Sequence, residues 1–315
     1  MRVLVTGGAG FIGSNLVHAL LSGGHAVGVI DDLSTGKPEN LHPHAWFRTL
    51  DILDTAMPAA VAEFAPDAVV HLAAQASVSV SLRDPERDSA VNAGGTRAVA
   101  AAARAAGAKR VISASSAAVY GEPDEALLPL LETAPKSPEN PYGVSKLAAE
   151  SLLAEELLGT GVDFASFRFA NVYGPRQDAA GEGGVVALFC AAMGAGTAPT
   201  VFGTGDQTRD FIYVGDVVGA IVAALHSETA LAIAAGDEAA YNISTGAETS
   251  VNDLLRSLRE TAEYWGPADR QPGREGDVDR SSLSAAKAQR VFGWTANQTL
   301  DNGLAMTWRW FSARQ

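Results

Sequence analysis

The chain has 315 residues, 47% hydrophobic and 19% charged, which is material for two domains or one large one with an ample core. Its 23 Lys and Arg against 36 Asp and Glu leave a net charge of −13, which argues against the basic surface that nucleic acid binding requires. Cys190 is the only cysteine and no apolar run reaches the length of a membrane span, so an intrachain disulfide and a thiolate-rich metal centre are excluded and a cytoplasmic protein is expected.

The early glycines of Met1 to Gly8 interrupt any signal-peptide core, and His42 and His44 read as part of a proline-flanked loop, so no metal is expected. From the first residues onward, β-rich runs alternate with helical patterns, the rhythm of a parallel sheet wrapped by helices. Strands are predicted at 3–6, 26–30, 46–50, 68–72, 110–114 and 163–167, and helices at 11–21, 57–64, 88–106 and 141–158. Gly23-Gly24, Ala65-Pro66 and Gly107 supply the helix stops. Past Phe169, Gly and Pro clusters break up long elements, as in substrate-recognition loops. A strand and helix follow at 210–225, then helices at 251–264, 284–292 and 302–311, with Ser250 and Ser282 as capping candidates. The expected fold is α/β, a doubly wound parallel Rossmann sheet with a smaller α/β substrate-binding domain. Residues 1–169 would bind NAD, with 206–230 returning to that domain, and 170–315 would bind substrate.

Gly7, Gly10 and Gly13 follow the first strand and open the first helix, where a tight turn brings backbone N–H groups and the positive end of a helix dipole to a pyrophosphate. Asp31 ends the second strand, where a carboxylate accepts from ribose hydroxyls and repels a 2′-phosphate, so NAD is favoured over NADP. Asp51 and Ile52, after the third strand, offer an acceptor and an apolar wall for the adenine. Tyr142 and Lys146 stand at i and i+4 on one helix face, where a cation favours the phenolate and makes Tyr142 a candidate base. Ser115-Ser116 lies just past the fifth strand, at the sheet edge where ligands bind, and its hydroxyl can relay a proton.

The motifs Thr6 to Gly13, His71-Leu72-Ala73-Ala74, Ser115 to Gly121, Tyr142 to Lys146 and Arg168 to Arg176 resemble the extended short-chain dehydrogenase/reductase family. Further segments, Asn171 to Arg176, Val201-Phe202-Gly203, Gln207 to Phe211, Tyr241-Asn242-Ile243 and Arg274 to Asp277, are most similar to its nucleotide-sugar epimerases of the UDP-glucose 4-epimerase type. The resemblance implies Tyr142 as base, Lys146 on the nicotinamide ribose and Ser116 as second catalytic hydroxyl. It implies Phe11, Ile12, Leu72, Ala73, Ala74, Gln75 and Asn92 in the cofactor pocket, with Gln75 in place of a lysine found in some 4-epimerases. On the sugar-nucleotide it implies Asn171, Val185 and Asp277, with Phe202 beside the uracil and Arg209 and Arg274 on the diphosphate.

Related dehydratases and decarboxylases place acidic residues where Ala117 and Ala118 stand, and no side chain there can move a proton. The resemblance therefore implies reversible C4 inversion of a UDP-hexose through a 4-keto sugar and tightly bound NAD. A 4-ketoreductase is the alternative, and a dinucleotide-sensing regulator a more distant one. By the same resemblance Ser281 stands where a bulky tyrosine is associated with exclusion of N-acetylated sugars, so UDP-N-acetylglucosamine or UDP-glucuronic acid is expected as a substrate in addition to or instead of UDP-glucose. The helices at 88–106 and 141–158 are those that, by resemblance, pair across a homodimer.

Overall fold

The computed structural model of the protein describes residues 1–179, 184–232, 238–273 and 278–314. Its first half runs β1 (Arg2–Thr6), α1 (Phe11–Ser22), β2 (Ala26–Asp31), β3 (Trp46–Thr49), α2 (Met57–Phe64), β4 (Ala68–His71), α3 (Val78–Arg83), α4 (Pro85–Ser89), α5 (Gly95–Ala105), β5 (Arg110–Ser116), α6 (Pro141–Leu157) and β6 (Asp163–Phe169). The second half follows as β7 (Asn171–Tyr173), α7 (Val185–Gly194), β8 (Thr200–Phe202), β9 (Thr208–Arg209), β10 (Phe211–Tyr213), α8 (Val214–His226), β11 (Ala240–Ile243), β12 (Thr249–Ser250), α9 (Val251–Ala262), β13 (Asp269–Gln271), α10 (Ala286–Phe292) and α11 (Leu300–Ser312).

Seven strands form one sheet in the order β11-β6-β5-β4-β1-β2-β3, every pair parallel. The strands are apolar on both faces because helices cover both. Val3 and Val5 of β1 belong to a core with Leu16, Val17 and Leu20 of α1 and Val217, Ile221 and Ala224 of α8. Leu4, pointing the other way, joins Met57 and Val61 of α2, Val99 and Ala103 of α5 and Leu153 of α6. A third core unites α7, α9 and α11 through Phe189, Leu254, Leu258 and Leu304. Cys190 is buried in it, and burial pushes its thiol up to about 12, so it is chemically inert. No helix among the described residues is long and apolar enough to cross a membrane.

The doubly wound sheet is the one the hydrophobic rhythm predicts, and most element ends shift by only one or two residues. The helix expected at 88–106 is instead α4, a π-type turn at Ala90–Gly94 and α5. Asp84 caps α4 by accepting from Arg87 N–H at 3.0 Å, and Pro85 stands at its start. At Gly95 a Cβ would lie 2.4 Å from Ile52 Cδ1, so glycine is what lets α5 approach the loop after β3. Ser250 caps α9 as expected, its Oγ accepting from Asp253 N–H at 3.0 Å. Ser282 is no cap: it is buried, its carbonyl accepts from Leu130 N–H at 2.9 Å, and α10 begins after an uncapped Ala285. The seventh strand, β11, extends the sheet beside β6 and had no counterpart among the predicted strands.

Candidate active site

The chain leaves β1 toward β2 on one side and leaves β4 toward β5 on the other, so a crevice opens at the carboxyl ends of β1 and β4. The glycine turn fills its lip. Gly7 has φ +73°, and a Cβ there would lie 2.6 Å from Ala73 N, so only glycine permits both the left-handed turn and the contact with the segment after β4. At Gly13 a Cβ would lie 2.1 Å from Gly7 O, which presses α1 onto the turn. Gly10 is the N-cap residue and offers no side-chain cap, so the first amides of α1, including those of Phe11 and Ile12, are left for an anion.

Asp31 ties β2 to this turn. Its Oδ2 accepts from Ala9 N–H and its Oδ1 from Leu33 N–H, both at 2.9 Å. Burial raises its carboxyl above the usual range, opposed by these two hydrogen bonds. Each oxygen retains a lone pair for a further donor. Asp51 is exposed and accepts from Leu53 N–H at 2.8 Å, while Ile52 is buried.

After β4, Leu72 N–H bonds Thr6 O at 3.0 Å, and Ala73 and Ala74 line the crevice half-buried. Beneath them, His71 is wired in one direction. The Thr6 hydroxyl contacts Nδ1 at 2.7 Å and also accepts from Ala73 N–H. Thr96 Oγ1 stands 3.2 Å from Nε2 and donates to Asn92 O at 2.6 Å, so Nε2 carries the proton and Nδ1 accepts. Burial and the Lys146 charge push this imidazole down to about 3. Gln75, expected to face the cofactor, turns its side chain inward, donating to Asp88 Oδ1 at 2.6 Å and Ser77 O at 2.9 Å.

On α6, Asn140 caps the helix by accepting from Gly143 N–H at 2.9 Å and Pro141 opens it. At Gly143 a Cβ would lie 2.5 Å from Ala118 O, so the absence of a side chain there lets α6 close on the end of β5. That approach sets the Tyr142 phenol beside the Ser116 hydroxyl, which accepts from Ala118 N–H at 3.2 Å. Ser115 points the other way and donates to Glu150 Oε1 at 2.5 Å, within the buried Arg168–Glu150 pair. Lys146 Nζ lies 5.9 Å from the Tyr142 ring centroid and donates to Ala114 O at 3.1 Å. Burial lowers this ammonium to about 8, against the pull of Asp88 and Glu150. Burial also raises the Tyr142 phenol, opposed by Ser116 and reinforced by Asp88. The Lys146 cation alone therefore does not bring the phenol toward neutral pH, contrary to the simplest reading of the i and i+4 pair.

Across the crevice, Asn171 opens β7 with an exposed side chain and Val185 opens α7 half-buried. Phe202 O accepts from Gln207 Nε2 at 2.9 Å, and Thr208 N–H bonds Asp279 O at 2.9 Å, so Phe202, Arg209 and the segment bearing Ser281 form one patch. Asp210 anchors that patch, accepting from Thr245, Gly246 and Leu283 N–H. Arg280 clamps it by pairing with Glu248 at 2.7 Å and Glu125 at 2.8 Å. Arg274 and Asp277 lie outside the described residues. Among the described residues no cluster of His, Cys, Asp and Glu could hold a metal. Asp88, Asn92 and His71 are the buried polar groups whose interior contacts no sequence pattern displayed.

A sequence model of the NAD dependent epimerase/dehydratase family matches residues 3–243. The UDP-glucose 4-epimerase of Mycolicibacterium smegmatis is 42% identical over 317 residues, 99% of this chain and 98% of that protein. The chain belongs to the NAD dependent epimerase/dehydratase family. Two solved structures from Thermotoga maritima and Thermus thermophilus agree with that membership. The T. maritima UDP-glucose 4-epimerase, with UDP-glucose, has a TM-score of 0.94 and 40% identity, covering 100% of this chain and 99% of that one. The T. thermophilus UDP-glucose 4-epimerase, in complex with NAD, has a TM-score of 0.89 and 39% identity, covering 99% of each. The two residues after Ser116 carry only methyl groups, so neither can transfer a proton.

Proposed function

We propose that the protein inverts C4 of a UDP-hexose reversibly, through a transient 4-keto sugar and with NAD retained through turnover. The carrying observation is the Tyr142 phenol beside Ser116 at the end of β5, with Lys146 one helical turn away and alanine at 117 and 118. NAD fits the residues present: the uncapped start of α1 suits its pyrophosphate, and the Asp31 lone pairs suit the adenosine ribose. Asp51 and Ile52 would flank the adenine, and Leu72, Ala73 and Ala74 would line the nicotinamide end; Asn92, expected there, is instead buried and holds both backbone groups of Gln75. When bound, NAD supplies the acceptor and then the donor for the C4 hydrogen.

Tyr142 takes the 4-hydroxyl proton, Ser116 relays it, and Lys146 holds the nicotinamide ribose with its ammonium. Asn171, Val185, Phe202, Arg209, Arg274 and Asp277 would anchor the nucleotide diphosphate while the sugar turns over to present its other face. Ser281 is half-buried and small, and this favours acceptance of UDP-N-acetylglucosamine or UDP-glucuronic acid beside UDP-glucose. A homodimer paired through α5 and α6 and a cytoplasmic location complete the reading; sedimentation of the purified protein as a monomer would remove the first.

The test is to incubate the purified protein with UDP-galactose and no added cofactor and follow the products by NMR. UDP-glucose with no net change in NADH absorbance supports the reading. A 4-keto sugar accumulating with NADH formed one-for-one from the bound NAD, or NADP(H) as the extracted cofactor, would replace it with the ketoreductase.

A further inference from the structure

Asp88 is fully buried, yet its carboxylate is poorly satisfied. Oδ1 accepts from Gln75 Nε2 at 2.6 Å, and Oδ2 has no hydrogen-bond partner among the described residues. The second donor near Oδ1 is shared. Asn92 Nδ2 carries two hydrogens and faces three acceptors, Gln75 O and Ser145 Oγ at 3.0 Å and Asp88 Oδ1 at 3.2 Å, the longest of the three. A carboxylate held this way is costly unless a counter-charge compensates it.

The candidate counter-charge is the Lys146 ammonium, itself buried and bonded to the carbonyl of Ala114. The two sides are mechanically joined. The π-type turn at Ala90–Gly94 rotates Asn92 inward, Asn92 grips Ser145, and the Ser145 hydroxyl donates to Tyr142 O at 3.0 Å. We propose that Asp88 is a positioning residue: through Asn92 and Ser145 its buried carboxylate fixes the helical turn that carries Tyr142 and Lys146, and its charge acts on both. This rests on the roles proposed above for those two residues.

Glu150 also favours the Lys146 ammonium, whereas Asp88 acts on the Tyr142 phenol as well. Glu150, on α6 itself, is engaged by Arg168 at 2.6 Å and by Ser115. His71, from β4, is neutral and locked between Thr6 and Thr96. Ser116, from β5, carries no charge. Asp88 acts on both members, holding the Lys146 ammonium up and the Tyr142 phenol up with it. Removing its charge must therefore move both titrations to lower pH, a coupled displacement that loss of packing alone does not produce.

The experiment titrates Lys146 by the NMR of its ε-carbon in the full-length protein, which has five lysines, assigned by its disappearance in Lys146→Met. Tyr142 is titrated by phenolate absorbance, as the difference from Tyr142→Phe. Asp88→Asn keeps the shape, and Asp88→Ser leaves room for a water in case the first variant does not fold. Both midpoints should fall by about one unit in either variant, and the alkaline limb of turnover should fall with that of Lys146. Midpoints within about 0.2 unit of the wild type, or failure of both variants to fold while Lys146→Met folds, assign Asp88 a structural role only and overturn the proposal. A wild-type protein inert on UDP-sugars counts against the reaction instead, and the two titrations are read independently of it.

Discussion

The two walls of the crevice are made differently. The wall under the glycine turn and α6 stands on a seven-stranded parallel sheet, and its geometry is set by backbone approaches at Gly7, Gly13 and Gly143 that leave no room for a Cβ. The wall bearing Phe202, Arg209 and Ser281 rests on two-stranded ribbons stitched by side chains, chiefly Asp210 and the Arg280–Glu248 pair. Backbone packing is unforgiving, whereas a side-chain stitch at the surface tolerates change. The first wall is therefore suited to an invariant chemical step and the second to selecting what enters.

If that contrast holds, changes in the first wall strike turnover. Tyr142→Phe should lower kcat by at least about a hundredfold while NAD stays bound, read by turnover and by cofactor released on denaturation; turnover within tenfold of the wild type would remove Tyr142 as the base. Gly143→Ala, which adds a methyl 2.5 Å from Ala118 O, should cost about tenfold in kcat by parting Tyr142 from Ser116. An unchanged kcat would show that the close approach of α6 is not what sets the pair.

Changes in the second wall should alter preference. Ser281→Tyr should reduce kcat/KM for UDP-N-acetylglucosamine relative to UDP-glucose by about tenfold, and an unchanged ratio means Ser281 is not the gate. Arg280→Ala should raise KM a few-fold with kcat nearly constant, since the guanidinium is exposed and its pairs are screened. A fall in kcat equal to the rise in KM would place Arg280 with the chemical wall.

One pH effect crosses the comparison. Lys146 is lowered by burial to about 8 from an ordinary 10.5, so between those values the unfolded chain binds the extra proton and stability from this group rises with pH. The ammonium itself is lost through the same window, so turnover should decline above about pH 8 while thermal stability does not. Parallel loss of both would refer the alkaline limb to unfolding.

Much of the first wall is legible in sequence because its signals are contiguous: a glycine turn between strand and helix, and a Tyr and Lys one helical turn apart. β11 was not, since Ala240–Ile243 is short and its partner β6 lies far back along the chain, so no local pattern announces the pairing. The break between α4 and α5 was hidden because alanine-rich sequence satisfies a helical period whether or not the turn at Asn92 is widened. Ser282 looked like a cap by residue type, but the isolated bridge of Leu130 with Leu283, which takes the Ser282 carbonyl, claims it first. Asp88 carries no signal at all, because a buried carboxylate and a solvated one read alike until the neighbours are known.

His71 gives the molecule something of practical use. With its tautomer dictated by Thr6 and Thr96 and its protonation displaced to about pH 3, its ring resonances are pinned across the whole range in which ordinary histidines move. It contacts Thr6, the residue before the glycine turn, and Thr96 of α5, so a displacement of its ring signals below about pH 8 reports geometry rather than its own protonation. The protein thereby contains its own conformational gauge, set a few bonds from the crevice.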